Sequence, residues 1–209
     1  MSGLFVKICG TTNVEDARAA VEAGVDAVGL IFVPGTPRCV EVATAREIAA
    51  NIPEPVRTVG VFVNEAAETI NRLAREVPLD VVQLHGAEAP EFRRLVEVPF
   101  FKAVRVRGEI DVEQLRSYKA SAYLLDTYVE GAHGGTGKTF DWELALPVVA
   151  AGLPVLLSGG LTPDNVAEAV GRILPYGVDV SSGVEASPGR KNHEKVRAFI
   201  ARAKGALSD

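Results

Sequence analysis

Two residues at the ends of apolar runs have side chains suited to exchanging protons with a substrate. Cys9 closes the run Leu4–Cys9, and Asp126 follows Leu124-Leu125. Period-two alternation sends Lys7 and Cys9 to one face of the first run and Val6 and Ile8 to the other. The apolar pair suits packing against helices, so Lys7 and Cys9 are expected to point inward. A lone cysteine is ordinarily a small buried hydrophobe. This one ends a strand beside a cation, a setting that favours the thiolate and hence a general base. Asp126 has no helix starting directly behind it, so capping does not account for it. An inward carboxyl at a strand end is partly desolvated, which suits a general acid. In the run ending Val82-Gln83-Leu84-His85, alternation groups Gln83 with His85, either lining a site or serving structural hydrogen bonds. Asp179, within the last apolar run, is the remaining polar candidate for substrate binding.

Two glycine-rich stretches suit an anion. Ser158-Gly159-Gly160-Leu161 and Ser181-Ser182-Gly183 each follow an apolar run, and backbone N–H groups there can approach a phosphate. Singly, each could be a tight turn needing positive φ. As a pair in the last two loops they match the phosphate site of a βα barrel, so Gly159, Gly160, Ser181, Ser182 and Gly183 are the expected phosphate contacts. Gly134-Gly135-Thr136-Gly137-Lys138-Thr139 imitates a nucleotide-binding P-loop, but the glycine required five positions before Gly137 is Ala132. It is expected instead to be a flexible loop over the site that closes on substrate.

The elements that must position these residues follow from periodicity. Short apolar runs at Leu4–Cys9, Ala27–Phe32, Thr58–Val63, Val81–Leu84, Phe100–Arg105, Ala122–Leu125, Pro154–Leu157 and Gly177–Val180 read as strands buried on both faces. Between them, Val14–Ala23, Ala43–Asn51, Ala66–Glu76, Glu88–Val96, Val112–Tyr118, Trp142–Ala151, Asn165–Leu174 and His193–Ala206 have helical spacing. Start signals are Thr12-Asn13, Asp141 and Thr162-Pro163-Asp164. The first strand ends in Cys-Gly-Thr-Thr rather than GxGxxG, which disfavours a dinucleotide-binding sheet. Eight such units in 209 residues predict one α/β domain, residues 1–209, folded as a (β/α)8 TIM barrel. Active residues in that fold gather at the C-terminal strand ends.

Composition narrows the function classes. A net charge of −5 without a Lys/Arg block argues against nucleic acid. No apolar run reaches the roughly 18 residues of a membrane span, and Lys7 interrupts the first run too early for a secretion signal, so a cytoplasmic protein is expected. Cys9 and Cys39 form no CxxC, and the histidines are scattered, so no metal site is expected.

Together these segments resemble the phosphoribosylanthranilate isomerase family of tryptophan biosynthesis. The resemblance runs the whole chain: KICG at 7–10, PRCV at 37–40, VGVFVN at 59–64, VQLHG at 82–86, LLDT at 124–127, GGTGKTFDW at 134–142, GGLTPDNV at 159–166 and VDVSSGVEASPGRK at 178–191. It implies that Cys9 is the general base, that Asp126 is the general acid, and that Arg38 meets the anthranilate carboxylate. The implied reaction is an Amadori rearrangement needing neither metal nor cofactor, on a small phosphorylated substrate, by a monomer or a homodimer. Ser158 stands where the family more often has Ala, and is expected to add a hydroxyl near the phosphate. Asn192 stands where Asp is common, and is expected to alter only the capping of the last helix. Two other readings remain: another phosphosugar barrel isomerase or synthase, marked by a different residue pair on strands one and six, and a non-catalytic phosphate-binding barrel that has lost Cys9 or Asp126.

Overall fold

A computed structural model of the chain describes residues 3–127 and 141–207. The glycine-rich segment 134–139 therefore lies outside the described residues. Eight parallel strands close into a barrel in sequence order: β1 (Phe5–Cys9), β2 (Ala27–Ile31), β3 (Arg57–Phe62), β4 (Val81–Leu84), β5 (Phe100–Val106), β6 (Ala122–Thr127), β7 (Val155–Leu157) and β8 (Gly177–Val180). Pairing of β1 with β8 completes the ring and sets Lys7 opposite Asp179.

The expected burial on both strand faces is present. Phe5, Ala27, Val59, Val81, Phe101, Ala103, Ala122, Leu124 and Leu156 pack together inside the barrel. Their strand neighbours, among them Val6, Ile8, Val28 and Leu125, face the helices. One step beyond the inner apolar layer, the same alternation delivers Lys7, Cys9, Gln83 and Asp126 to the interior at the C-terminal end.

The helices are α1 (Val14–Glu22), α2 (Val42–Ala49), α3 (Ala67–Glu76), α4 (Val112–Tyr118), α5 (Leu146–Ala150), α6 (Val166–Ile173) and α7 (His193–Gly205). Side chains cap several of them. Asn13 accepts from the Asp16 amide (2.8 Å) and Asn192 from the Lys195 amide (3.0 Å), so Asn192 does cap the last helix.

Two expected helices differ. The segment 88–96 forms only a 3₁₀ turn, Pro90–Arg94. Pro90 opens it without an N–H, and the Asn71 side chain closes it by donating to the Leu95 carbonyl (2.7 Å) and accepting from the Glu97 amide (3.0 Å). The sixth begins as a 3₁₀ turn, Trp142–Ala145, before α5. The seventh agrees with the expected 165–174: α6 begins at Val166 after the Asn165 side chain accepts from the Thr162 amide (2.7 Å) and donates to the Gly160 carbonyl (3.0 Å), closing the turn that precedes it. A short hairpin, β9 (Glu185–Ser187) with β10 (Arg190–Lys191), lies between β8 and α7. Among the described residues no helix is long and apolar enough to cross a membrane.

Candidate active site

Cys9 ends β1 at the mouth of the barrel, 6% exposed. Its partner across β2 is Gly29, where a Cβ would come within 2.8 Å of the thiol sulfur, so the missing side chain makes room for the thiol. Below it Lys7 is fully buried and gives its ammonium to Asp179 Oδ1 at 2.7 Å. Burial drags the Lys7 pKa down, but the Asp179 carboxylate and the neighbouring Cys9 lift it further, leaving it above the ordinary value. The sequence expectation for the thiol is only half met. Lys7 does pull the Cys9 pKa down, yet burial pushes it up harder, with Asp179 adding to the rise, leaving it above the ordinary thiol value.

Asp179 was expected to touch substrate. It lines the cleft, but Lys7 occupies Oδ1 and the Ser158 hydroxyl donates to Oδ2 at 3.1 Å. Asp179 therefore holds Lys7 while lining the cleft, and each carboxylate oxygen keeps acceptor capacity beyond these bonds. Ser158 lines the same cleft with its hydroxyl turned to Asp179.

Across the cleft, Asp126 faces inward from β6 and His85 follows β4. The His85 Nε2 lies 3.4 Å from Asp126 Oδ2, and the Gln83 side-chain nitrogen lies 2.9 Å from His85 Nδ1. Gln83 and His85 thus share a face as alternation predicts. Gln83 Oε1 is buried with no hydrogen-bond partner among the described residues. Sequence reading missed Arg105, which stands opposite Asp126 in the β5–β6 register and lines the same cleft. The alternation Phe101, Ala103, Arg105 was the signal that could have found it.

The loops after β7 and β8 meet at one side of the cleft. Gly159 and Gly160 have φ of +81° and +68°, a conformation that L side chains rarely adopt. The second loop carries Ser181 and the 3₁₀ turn Ser182–Val184. A Cβ on Gly183 would overlap the Leu161 carbonyl oxygen, so glycine there lets the two loops nest. The Ser181 hydroxyl is buried without a partner among the described residues. All five expected phosphate residues line one cleft with Cys9, Arg38 and Asp126.

Arg38 reaches that cleft already engaged. Its Nε and Nη2 donate to the two oxygens of Glu185 at 2.8 and 2.7 Å. Burial pushes the Glu185 pKa up, but the Arg38 hydrogen bond and the Lys191 charge bring it below the ordinary carboxylate value. Neither Glu185 nor Lys191 was found from sequence, because neither lies on a strand or helix whose period would aim it inward.

The site is one concave cleft at the barrel mouth, the kind of place where small molecules bind. The Cys9 thiol and the Asp126 carboxyl face it from β1 and β6, the Arg38 guanidinium stands on one side, and two glycine-containing loops close another. Fold and cleft define a (β/α)8-barrel enzyme equipped for acid–base chemistry on a small anionic substrate. The family profile described as N-(5'phosphoribosyl)anthranilate (PRA) isomerase matches residues 6–202. The N-(5'-phosphoribosyl)anthranilate isomerase of Pelobacter propionicus is 50% identical over 204 residues, 98% of this chain and 97% of that one. The solved phosphoribosyl anthranilate isomerase of Thermotoga maritima superposes with a TM-score of 0.90 at 46% identity, covering 97% of this chain and 99% of that one. A further such isomerase, in complex with reduced 1-(o-carboxyphenylamino)-1-deoxyribulose 5-phosphate, gives a TM-score of 0.87 at 45% identity, with 97% and 99% coverage. The chain belongs to the N-(5'-phosphoribosyl)anthranilate isomerase family.

Proposed function

We propose that Cys9 and Asp126 are the base and acid with which this chain isomerises N-(5'-phosphoribosyl)anthranilate to 1-(2-carboxyphenylamino)-1-deoxyribulose 5-phosphate in tryptophan biosynthesis. The observation that carries the assignment is their placement on β1 and β6, facing one cleft whose remaining walls suit the two ends of this substrate. The rearrangement opens the ribose ring to a Schiff base, then moves the C2′ proton to give an enolamine that becomes a ketone. Asp126 gives a proton to the ring oxygen as the ring opens. Cys9, as thiolate, takes the C2′ proton. The Schiff base is internal to the substrate, so Lys7 forms none; its ammonium favours the thiolate in a site where burial opposes it.

In the same reading the backbone N–H groups of Gly160, Ser182 and Gly183 hold the phosphate, with Gly159 and Ser181 shaping the loops around it. The Arg38 guanidinium meets the anthranilate carboxylate through whatever donors Glu185 leaves. Gln83 holds the His85 ring from the far side, and His85 supports Asp126. The substrate is the only partner this reading requires, and it places the enzyme in the cytoplasm. Loss of phosphoribosylanthranilate fluorescence on adding purified protein is the test. Unchanged fluorescence with wild-type protein defeats the assignment.

A further inference from the structure

We infer that Glu185 is a positioning residue for substrate recognition: it fixes which edge of the Arg38 guanidinium faces the cleft and, through Lys191, ties that edge to the strand end carrying Cys9. The inference rests on the reading above in which Arg38 meets the aromatic carboxylate.

A guanidinium offers a carboxylate two edges with parallel donors, a side-on edge of Nε with one Nη and an end-on edge of both Nη atoms. Glu185 takes the side-on edge with both oxygens, at 2.8 and 2.7 Å. Nη1 has no hydrogen-bond partner among the described residues. The end-on edge is therefore the one left for a ligand, and it is held there by a carboxylate whose side chain is 5% exposed.

Glu185 is itself anchored. Oε1 also accepts from Lys191 Nζ (3.2 Å) and from the Gly189 amide (3.3 Å). Lys191 is buried completely along its side chain and donates further to the carbonyls of Cys9 (2.6 Å) and Ser181 (3.1 Å). The Arg38 stem lies over the turn after β1, where a Cβ on Gly10 would stand 2.8 Å from Arg38 Cδ. Arg38, Glu185, Lys191 and the backbone of Cys9 and Ser181 are thus one connected unit. Two cations share one carboxylate, so the trio carries a surplus positive charge beside the cleft, a complement to one anionic group. Moving a proton from C2′ requires the base at a fixed reach from the aromatic anchor, and this unit sets that reach.

Calorimetry with two ligands separates positioning from a merely structural role. One is reduced 1-(o-carboxyphenylamino)-1-deoxyribulose 5-phosphate; the other is its counterpart lacking the carboxyl group. Glu185→Asp keeps the charge and shortens the arm, so it guards against the misfolding that Glu185→Gln risks by leaving two cations unpaired. Glu185→Asp is expected to weaken the carboxylated ligand by roughly tenfold or more and the decarboxylated one by less than about twofold. In an Arg38→Ala background it should add nothing. Equal weakening of both ligands, no weakening of either, or an undiminished effect in the Arg38→Ala background overturns the inference. Arg38→Ala alone weakening both ligands equally defeats the underlying reading of Arg38 instead, and the inference with it.

Discussion

The imidazole Nε2 of His85 stands 3.4 Å from Oδ2 of Asp126. That distance is too long for a strong hydrogen bond, while Gln83 holds the far side of the ring at 2.9 Å. In the proposed mechanism His85 supports Asp126 and is not itself the acid, so the two should separate kinetically. Asp126→Asn is expected to lower kcat by about 10²–10⁴-fold, the contribution of a positioned acid or base. His85→Ala should cost only about tenfold, the equivalent of one ordinary hydrogen bond. Steady-state kinetics of both variants decide between them. A His85→Ala loss as large as that of Asp126→Asn would move the proton donor to the histidine.

Ser158 distinguishes a phosphate contact from a strut. Its hydroxyl donates to Asp179 Oδ2 at 3.1 Å and is buried. Ser158→Ala should therefore leave KM unchanged and cost about 1 kcal/mol of stability, the net worth of a typical buried hydrogen bond. Urea unfolding and KM measured on one preparation check both parts. A raised KM with unchanged stability would return Ser158 to the phosphate.

The barrel and both proposed proton-transfer residues were legible because period-two alternation survives in strands buried on both faces. Apolar neighbours such as Val6 and Ile8 mark the helix side, and whatever polar residue alternates with them must face inward. The glycine loops were legible for a similar reason, since Gly159 and Gly160 meet a backbone demand that few other residues can. Glu185 and Lys191 obey no period. They lie on a short irregular hairpin and reach Arg38 and Cys9 across 147 and 182 residues of sequence, so only the folded chain brings them together. Asp179 and Ser158 both line the cleft, but their mutual hydrogen bond joins two strand ends and could not be read from the period of either. The helix expected over 88–96 failed because Pro90 and the Asn71 side chain, both outside the periodic pattern, decide its length.

Beneath His85 lies a second buried pair, outside the proton-transfer chemistry. Lys102 gives its ammonium to Glu88 at 2.8 Å and to the Gly86 carbonyl at 2.7 Å, with both side chains 3% exposed. Removing one member leaves a buried charge unpaired, so Lys102→Met should destabilise by about 3–5 kcal/mol. The pH dependence has a definite sign. Burial raises the Glu88 pKa, but Lys102 and the Asn64 amide lower it more, so the folded value is depressed. Its stabilising contribution is then complete above the ordinary glutamate value and lost as pH falls through the depressed one. Tm measured between neutral and acid pH should fall less steeply for Glu88→Gln than for wild type. Parallel curves would show that Glu88 contributes nothing to acid unfolding.

The thiol gives the remaining prediction, because its environment works against its task. Burial holds the Cys9 pKa above the ordinary thiol value despite Lys7 and Lys191, whose charges both pull it down. The free enzyme is therefore expected to form the Cys9 thiolate only beyond the usual cysteine value of about 8.5, read as the pH-dependent ultraviolet thiolate absorbance that Cys9→Ala removes. A midpoint well below that value would show that Lys7 outweighs burial. Cys9→Ala removes the base and should lower kcat by roughly 10²–10⁴-fold without a comparable fall in Tm, since the barrel core does not depend on the sulfur. Cys9→Ser should be nearly as poor, because a hydroxyl is far less acidic than a thiol and supplies almost no alkoxide near neutral pH. Should Cys9→Ala keep its activity, the proton would have to leave C2′ for another group at the mouth, with Lys7 and His85 the first to substitute.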